Sequence, residues 1–186
     1  MRLVYETERL ILKALDESNA PILLDYYSRN KEFLRDFEPC RTDEFYTIKA
    51  QASMLRDDLS GIIRGNRLRL WIFKKEDGNF FKTIGTIAFT NILRGSLSSC
   101  LLGYKLDAKE VNKGFITEAL QKGIDIMFNR YKLHRIEANI MPRNRASMKV
   151  VEKLGFHNEG LALKYLKING EWEDHVHMAL LNEAMD

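Results

Sequence analysis

Between residues 115 and 131, Phe115, Ala119, Leu120, Gly123, Ile124, Met127, Phe128 and Tyr131 recur at three- and four-residue intervals, while Glu118, Lys122, Asp125 and Arg130 occupy the opposite face. This spacing predicts an amphipathic helix of about four turns, with strand-like runs on either side at 99–106 and 135–141. A helix with one apolar face must bury it, and the flanking strands supply a sheet on which to do so. The rest of the chain fits this arrangement. A strand at 9–15 leads into a helix at 20–27. A second helix covers 43–59 with Gly61 as its stop, and strands follow at 68–74 and 83–90. Asn144 caps a short helix that ends at Gly155, and two more strands over 158–181 surround Asn169-Gly170, a hairpin signal. The reading is an α+β fold with a central mixed, mostly antiparallel sheet of about seven strands flanked by about four helices. No repeat or linker divides residues 1–186, so a single domain is expected.

At 186 residues the chain can bury a core without disulfides or metal. Its 45% apolar and 30% charged residues exclude the disordered and low-complexity classes. Its apolar runs are well short of the roughly 20 residues that a membrane span needs, and the first ten residues lack a signal-peptide core. Cys40 and Cys100 form no CxxC and read as reduced thiols. These features predict a cytoplasmic protein without a membrane partner. A net charge of +3 is too small to be a nucleic-acid footprint by itself. The basic cluster of Arg64, Arg67, Arg69, Lys74 and Lys75 reads either as a solvated strand end or as a contact for an anion such as RNA. His175 and His177 have the spacing of a metal pair but no third ligand, so no metal is expected; His134 and His157 read as structural or solvated.

The chemistry concentrates in 103–120, GYKLDAKEVNKGFITEAL, where a strand ends, a polar turn holds Gly114, and the amphipathic helix begins. The first turn of a helix carries N–H groups without intrahelical acceptors, its dipole favours negative charge, and a glycine allows close approach, so a pyrophosphate would fit there. Gly114 serves equally well as the pivot of a tight turn. The segment is neither a GxxxxGK[ST] loop nor a GxGxxG fingerprint.

NKGFITEAL, then IMPRNRASMKVVEKLGFHNEG, then NGEWEDHVHMALL, together with the opening TERLILKAL, resemble in that order the GNAT superfamily of acetyl-CoA-dependent N-acetyltransferases. Within it they are similar to the ribosomal-protein-alanine, RimJ/RimL-like branch. The resemblance implies a splay between strands 4 and 5 that takes acetyl-CoA. It places Lys113, Gly114, Phe115, Ile116 and Thr117 at the pyrophosphate loop, where Val111 and Ile116 depart from the usual basic and small residues. Tyr104, Lys105 and Leu106 would run beside the pantetheine arm, Asn144 would contact it, and Ser147 would lie near the thioester sulfur, able to donate to a leaving thiolate. From their spacing alone, Asn144 reads as a helix cap and Ser147 as an ordinary first-turn serine.

The implied reaction is direct acetyl transfer to an amine, without an acyl-enzyme. At pH 7, deprotonation costs roughly 1–1.4 kcal/mol for an α-amine and about 4.6 kcal/mol for lysine, so an N-terminal acceptor needs only a weak base. Asn139, five residues before Asn144, cannot serve as one. Glu137 shares its strand face and is the base expected here, with Glu159 a weaker choice. Phe33 and Phe37, between the first two helices, would line an acceptor groove or form a satellite core. The expected acceptor is a protein N-terminus, ribosomal by resemblance. The alternatives are a small amine (polyamine, amino acid or aminoglycoside) or a catalytically silent CoA-binding module. A monomer and a homodimer both remain open.

Overall fold

The computed structural model describes residues 3–185. Its strands are β1 (Val4–Glu6), β2 (Leu10–Lys13), β3 (Leu68–Lys74), β4 (Gly85–Thr90), β5 (Ser99–Leu106), β6 (Arg135–Ile140), β7 (His157–Ile168) and β8 (Glu171–Leu181). Its helices are α1 (Ala20–Arg29), α2 (Lys31–Arg35), α3 (Ile48–Ile63), α4 (Phe115–Asp125) and α5 (Arg145–Lys153), and a π-helical turn, Ile126–Arg130, extends α4. The strands form one sheet in the order β1-β2-β3-β4-β5-β6-β8-β7. Every pairing is antiparallel except β5 with β6.

Alternation along β3 separates two layers. Leu68, Leu70 and Ile72 join the larger core with Ile87, Phe89, Ala119, Leu120, Ile136 and Val151 beneath α4 and α5. Trp71 and Phe73 point to the other face, where Leu23, Tyr26, Tyr27 and Leu55 of α1 and α3 cover them. Gly123 brings α4 close onto β4, since a Cβ there would stand 2.8 Å from Ile87 Cδ1 and Phe89 Cζ. The expected alternation in β6 is observed: Ile136, Ala138 and Ile140 are buried, with partly buried residues between them.

The α+β sheet architecture is as expected, with one more strand and one more helix. The extra strand is β1, three residues paired only with β2. A short edge strand needs little apolar surface and so leaves a weak pattern. The extra helix, α2, lies in the connection expected to be irregular. α3 begins at Ile48 behind the Thr47 cap and runs through Gly61 to Ile63. Gly61 marks a close contact rather than a stop, because a Cβ there would come within 2.9 Å of Arg67 Cβ.

β5 and β6 pair over only three residues each, Ser99 with Arg135, Cys100 with Ile136 and Leu101 with Glu137. Beyond that point they part. This is the pair of strands for which a splay was expected; β1 moves their numbering up by one.

Candidate active site

A cleft of about 840 Å³ occupies the gap between β5 and β6. One wall is the Leu102–Leu106 stretch of β5, and the other is Ala138, Asn139 and Ile140 of β6 with Met141. β4 pairs with the outer edge of β5 and β8 with the outer edge of β6, so the facing backbone edges have no strand between them. An extended chain with amide groups could fill such a gap as an added strand.

At one end of the cleft, the turn from β5 to α4 passes through two left-handed residues, Asn112 (φ 61°) and Gly114 (φ 80°). The first bond of α4 runs from the Glu118 N–H to the Gly114 carbonyl, 3.1 Å, which leaves the preceding N–H groups free to meet an anion. Val111, Asn112, Gly114, Ile116 and Thr117 line the cleft. Lys113 and Phe115, both expected at this loop, turn their side chains elsewhere. Lys113 Nζ pairs with Glu110 at 2.9 Å, and the Phe115 ring lies under Arg9, 4.6 Å from the guanidinium carbon to the ring centroid.

Arg9 was not singled out in the sequence, yet it fastens this turn. Its Nη1 donates to the Lys113 carbonyl at 3.1 Å and its Nε to Glu118 Oε2 at 2.7 Å. Glu118 Oε1 accepts from Thr7 Oγ1 at 2.5 Å and from the Arg9 N–H at 2.8 Å. Burial pushes the Glu118 carboxyl upward, but these donors outweigh it and hold the group below its ordinary value. Thr7 and Arg9 lie in the TERL motif, but no local signal shows that it meets a helix more than a hundred residues later.

Further along the cleft, Asn144 caps α5, its Oδ1 accepting the Ser147 N–H at 3.2 Å. The Ser147 carbonyl accepts the Tyr104 hydroxyl at 2.9 Å. Burial pushes that phenol up to about 12, so it is a neutral donor already in use. Ser147 also lines the cleft, with its side chain beside the Tyr104 hydroxyl. Neither cysteine lines this cleft; Cys100 is buried and its thiol is pushed up to about 12, burial being the larger cause and Glu137 the lesser.

Phe33, Leu34, Phe37, Glu38, Pro39 and Arg41 roof the opposite end, so the structure brings Phe33 and Phe37 to the same cleft as Ser147. Lys105 Nζ forms an ion pair with Glu38 and lies 5.3 Å from the Tyr27 ring centroid. Glu38 also pairs with Arg41. Among the described residues it is the only carboxylate lining the cleft.

Glu137, expected as the base, lies outside the cleft. It sits opposite Leu101, where β5 and β6 are still joined, and its carboxylate accepts from Arg135 Nε at 2.6 Å. Glu159 is tied to the same guanidinium, Nη1 at 2.9 Å, and this contact holds its carboxyl at about 2. Four residues of the basic cluster are similarly engaged: Arg67 and Arg69 pair with Asp58, Lys74 with Glu76, Asp77 and Glu110, and Lys75 with Glu6. Among the described residues, no group of three or more His, Cys, Asp or Glu could hold a metal ion, and no helix is long and apolar enough to cross a membrane.

Residues 9–157 match the acetyltransferase (GNAT) domain family. The chain is similar to the probable N-acetyltransferase YjcK of Bacillus subtilis, 39% identical over 93% of this chain and 94% of that one. It is 36% identical to the [ribosomal protein uS5]-alanine N-acetyltransferase of Escherichia coli, over 94% and 88% of the two chains. Mycobacterium smegmatis RimJ, solved in complex with CoA-disulfide, superposes with a TM-score of 0.89 at 25% identity, covering 98% of this chain and 88% of that one.

Proposed function

The chain belongs to the GNAT acetyltransferase family and is an acetyl-CoA-dependent N-acetyltransferase, and from that premise we propose that its acceptor is the α-amino group of a protein N-terminus. The observation that carries this reading is the charge of the cleft. Among the described residues its one carboxylate is Glu38, engaged by Lys105 and Arg41, and Lys149, Lys153 and Lys167 also line the walls. A polyamine or aminoglycoside brings several positive charges and needs several free carboxylates to meet them. A peptide N-terminus brings one, on an extended chain that the half-exposed rings of Phe33 and Phe37 can cover. The E. coli relative, a [ribosomal protein uS5]-alanine N-acetyltransferase, favours the same class of acceptor.

Bound acetyl-CoA supplies an acetyl thioester, an acyl group already activated toward an amine. The chain's own residues bind and orient. The gap between β5 and β6, including Tyr104, Lys105 and Leu106, takes the pantetheine arm. The Gly114 turn and the start of α4 through Ile116 and Thr117 take the phosphates through backbone N–H groups, with Lys113 and Phe115 contributing backbone alone. Asn144 fixes the first turn of α5, which sets the Ser147 hydroxyl in the cleft, able to donate a proton to the departing thiolate. In this reading the acetyl group passes directly to the amine, without an acyl-enzyme.

Free-thiol release from acetyl-CoA tests this with Ala- and Ser-starting peptides, the same peptides N-terminally blocked but carrying an internal lysine, a polyamine and an aminoglycoside. Turnover confined to free N-termini is expected. Turnover of the small polyamines alone would move the chain to small-molecule acetylation, and CoA binding with silence across the panel would leave a CoA-binding module.

A further inference from the structure

With Glu137 held by Arg135 outside the cleft, the acceptor amine still needs a group to take its proton. We propose that His175 of β8 is that proton acceptor, an assignment that rests on the N-acetyltransferase reading above. His175 lies just past the Ile140–Val176 pair of β6 and β8, on the same sheet face as Asn139 and beside Met141, and all three line the cleft. It is 3% exposed, so it belongs to the wall rather than to the solvent rim.

The orientation of the ring supports the role. Nδ1 stands 3.0 Å from the Glu173 carbonyl oxygen. A carbonyl can only accept, so Nδ1 carries the hydrogen, and in the neutral ring Nε2 is left with its lone pair. Nε2 has no hydrogen-bond partner among the described residues. Tyr165 of β7 packs against the ring at 5.5 Å between centroids and is itself held by Asn139 Nδ2 at 3.2 Å. The site therefore has a fixed imidazole with one nitrogen oriented by the backbone and the other unpartnered, which is what a proton acceptor requires.

The competing groups in the cleft are already committed. Glu38 is paired with Lys105 and Arg41, Tyr104 is a neutral phenol, and the remaining ionisable side chains are cations. His177, two residues along β8, does not line the cleft. The charged and titratable groups near His175 are Glu173, Asp174 and His177 on its own strand, Arg143 paired with Glu173 at 2.8 Å, and Tyr165 on β7, while Lys167 and Glu38 line the same cleft.

In the proposed step, the acceptor ammonium gives one proton to Nε2, which passes it to water. The freed nitrogen pair forms the N–C bond as the C–S bond breaks and its electron pair leaves on the CoA sulfur. The second amine proton, released as the amide forms, balances the thiolate as CoA thiol. An ammonium and an acetyl thioester thus become an amide, a thiol and one proton in solution.

The test is the pH profile of turnover on an Ala-starting peptide for the wild type, His175→Gln and His175→Ala, with His177→Gln as a packing control. His175→Gln should lower kcat at pH 7 by up to about tenfold, the factor that the cost of deprotonating an α-amine allows, while CoA affinity stays within about twofold. The deficit should shrink to about threefold or less near pH 9.5, where the peptide amine is already neutral. Added imidazole should restore His175→Ala in a saturable way. Wild-type kcat in His175→Gln, or an equal deficit at every pH with no imidazole rescue, would overturn the assignment and leave a packing role. If the wild type ignores peptides but acetylates a small amine, the acceptor reading fails, and the same profile on that amine decides His175 independently.

Discussion

The two ends of the cleft are built differently. At the end we propose for the phosphates, Glu118 accepts three hydrogen bonds from Thr7 and Arg9, and Arg9 also holds the Lys113 carbonyl, so strand, turn and helix are locked across more than a hundred residues of sequence. The surface offered there is backbone. At the end we propose for the acceptor, the roof over 33–41 is a connection with half-exposed rings, fastened by Arg143 to the Asp36 carbonyl at 2.8 Å, by Asn169 to the Arg35 carbonyl, and by the Lys105–Glu38 pair. The surface offered there is side chain. A cosubstrate that never changes can be met by backbone in a fixed shape, whereas an acceptor is chosen by side chains carried on a loop.

The largest expected effect is at the backbone end. Gly114→Val forces a β-branched residue into φ 80° and sets a Cβ 3.4 Å from Arg9 Nη2. Strain of roughly 1–3 kcal/mol, if expressed in the turn, weakens CoA binding about 10- to 100-fold. Calorimetric titration with CoA measures it, and unchanged affinity would show that the phosphates do not use this turn.

Ser147→Ala should come next, lowering kcat about tenfold with acetyl-CoA KM nearly unchanged, read by steady-state thiol release. Equal losses in both constants would return Ser147 to a purely structural role in the first turn of α5. Glu118→Gln separates locking from binding. Replacing the charged acceptor of Arg9 and Thr7 should cost about 1 kcal/mol of stability, measured by denaturant unfolding. Because the folded Glu118 carboxyl lies below its ordinary value, its contribution is present above the ordinary carboxylate range and is lost as pH falls through the lowered folded value. The wild type should therefore approach the variant in acid, and a constant gap across that range would assign the cost to shape rather than charge.

The same contrast explains what the sequence made legible. Gly114 stood out because a left-handed pivot before a helix demands glycine, and Asn144 because a cap precedes an apolar face; both are local signals. The alternation of β6 was also readable, but it assigned Glu137 only to a face. Where β5 and β6 cease to pair is a property of two strands together, and that boundary puts Glu137 on the closed side and Asn139 on the open one. His175 was visible only as half of a doubtful metal pair. Its place in the cleft depends on β8 lying beside β6, which no spacing within β8 reveals. Arg9 and Glu118 were missed for the same reason.

The smallest effect expected falls on the roof. Arg143 bridges three parts: Nη2 donates to the Asp36 carbonyl, the guanidinium pairs with Glu173 at 2.8 Å, and its carbon lies 5.8 Å from the Phe37 ring centroid. Arg143→Ala removes these ties while leaving β5, β6 and the Gly114 turn untouched. The side chain is nearly half exposed, so its ion pair contributes little to global stability. The consequence should be confined to acceptor KM, raised about threefold for an affinity cost under about 1 kcal/mol, with acetyl-CoA KM unmoved. Initial rates with each substrate varied in turn distinguish the outcomes. A rise in acetyl-CoA KM instead would mean that the roof also braces the cosubstrate, and the division between a backbone end and a side-chain end would have to be redrawn.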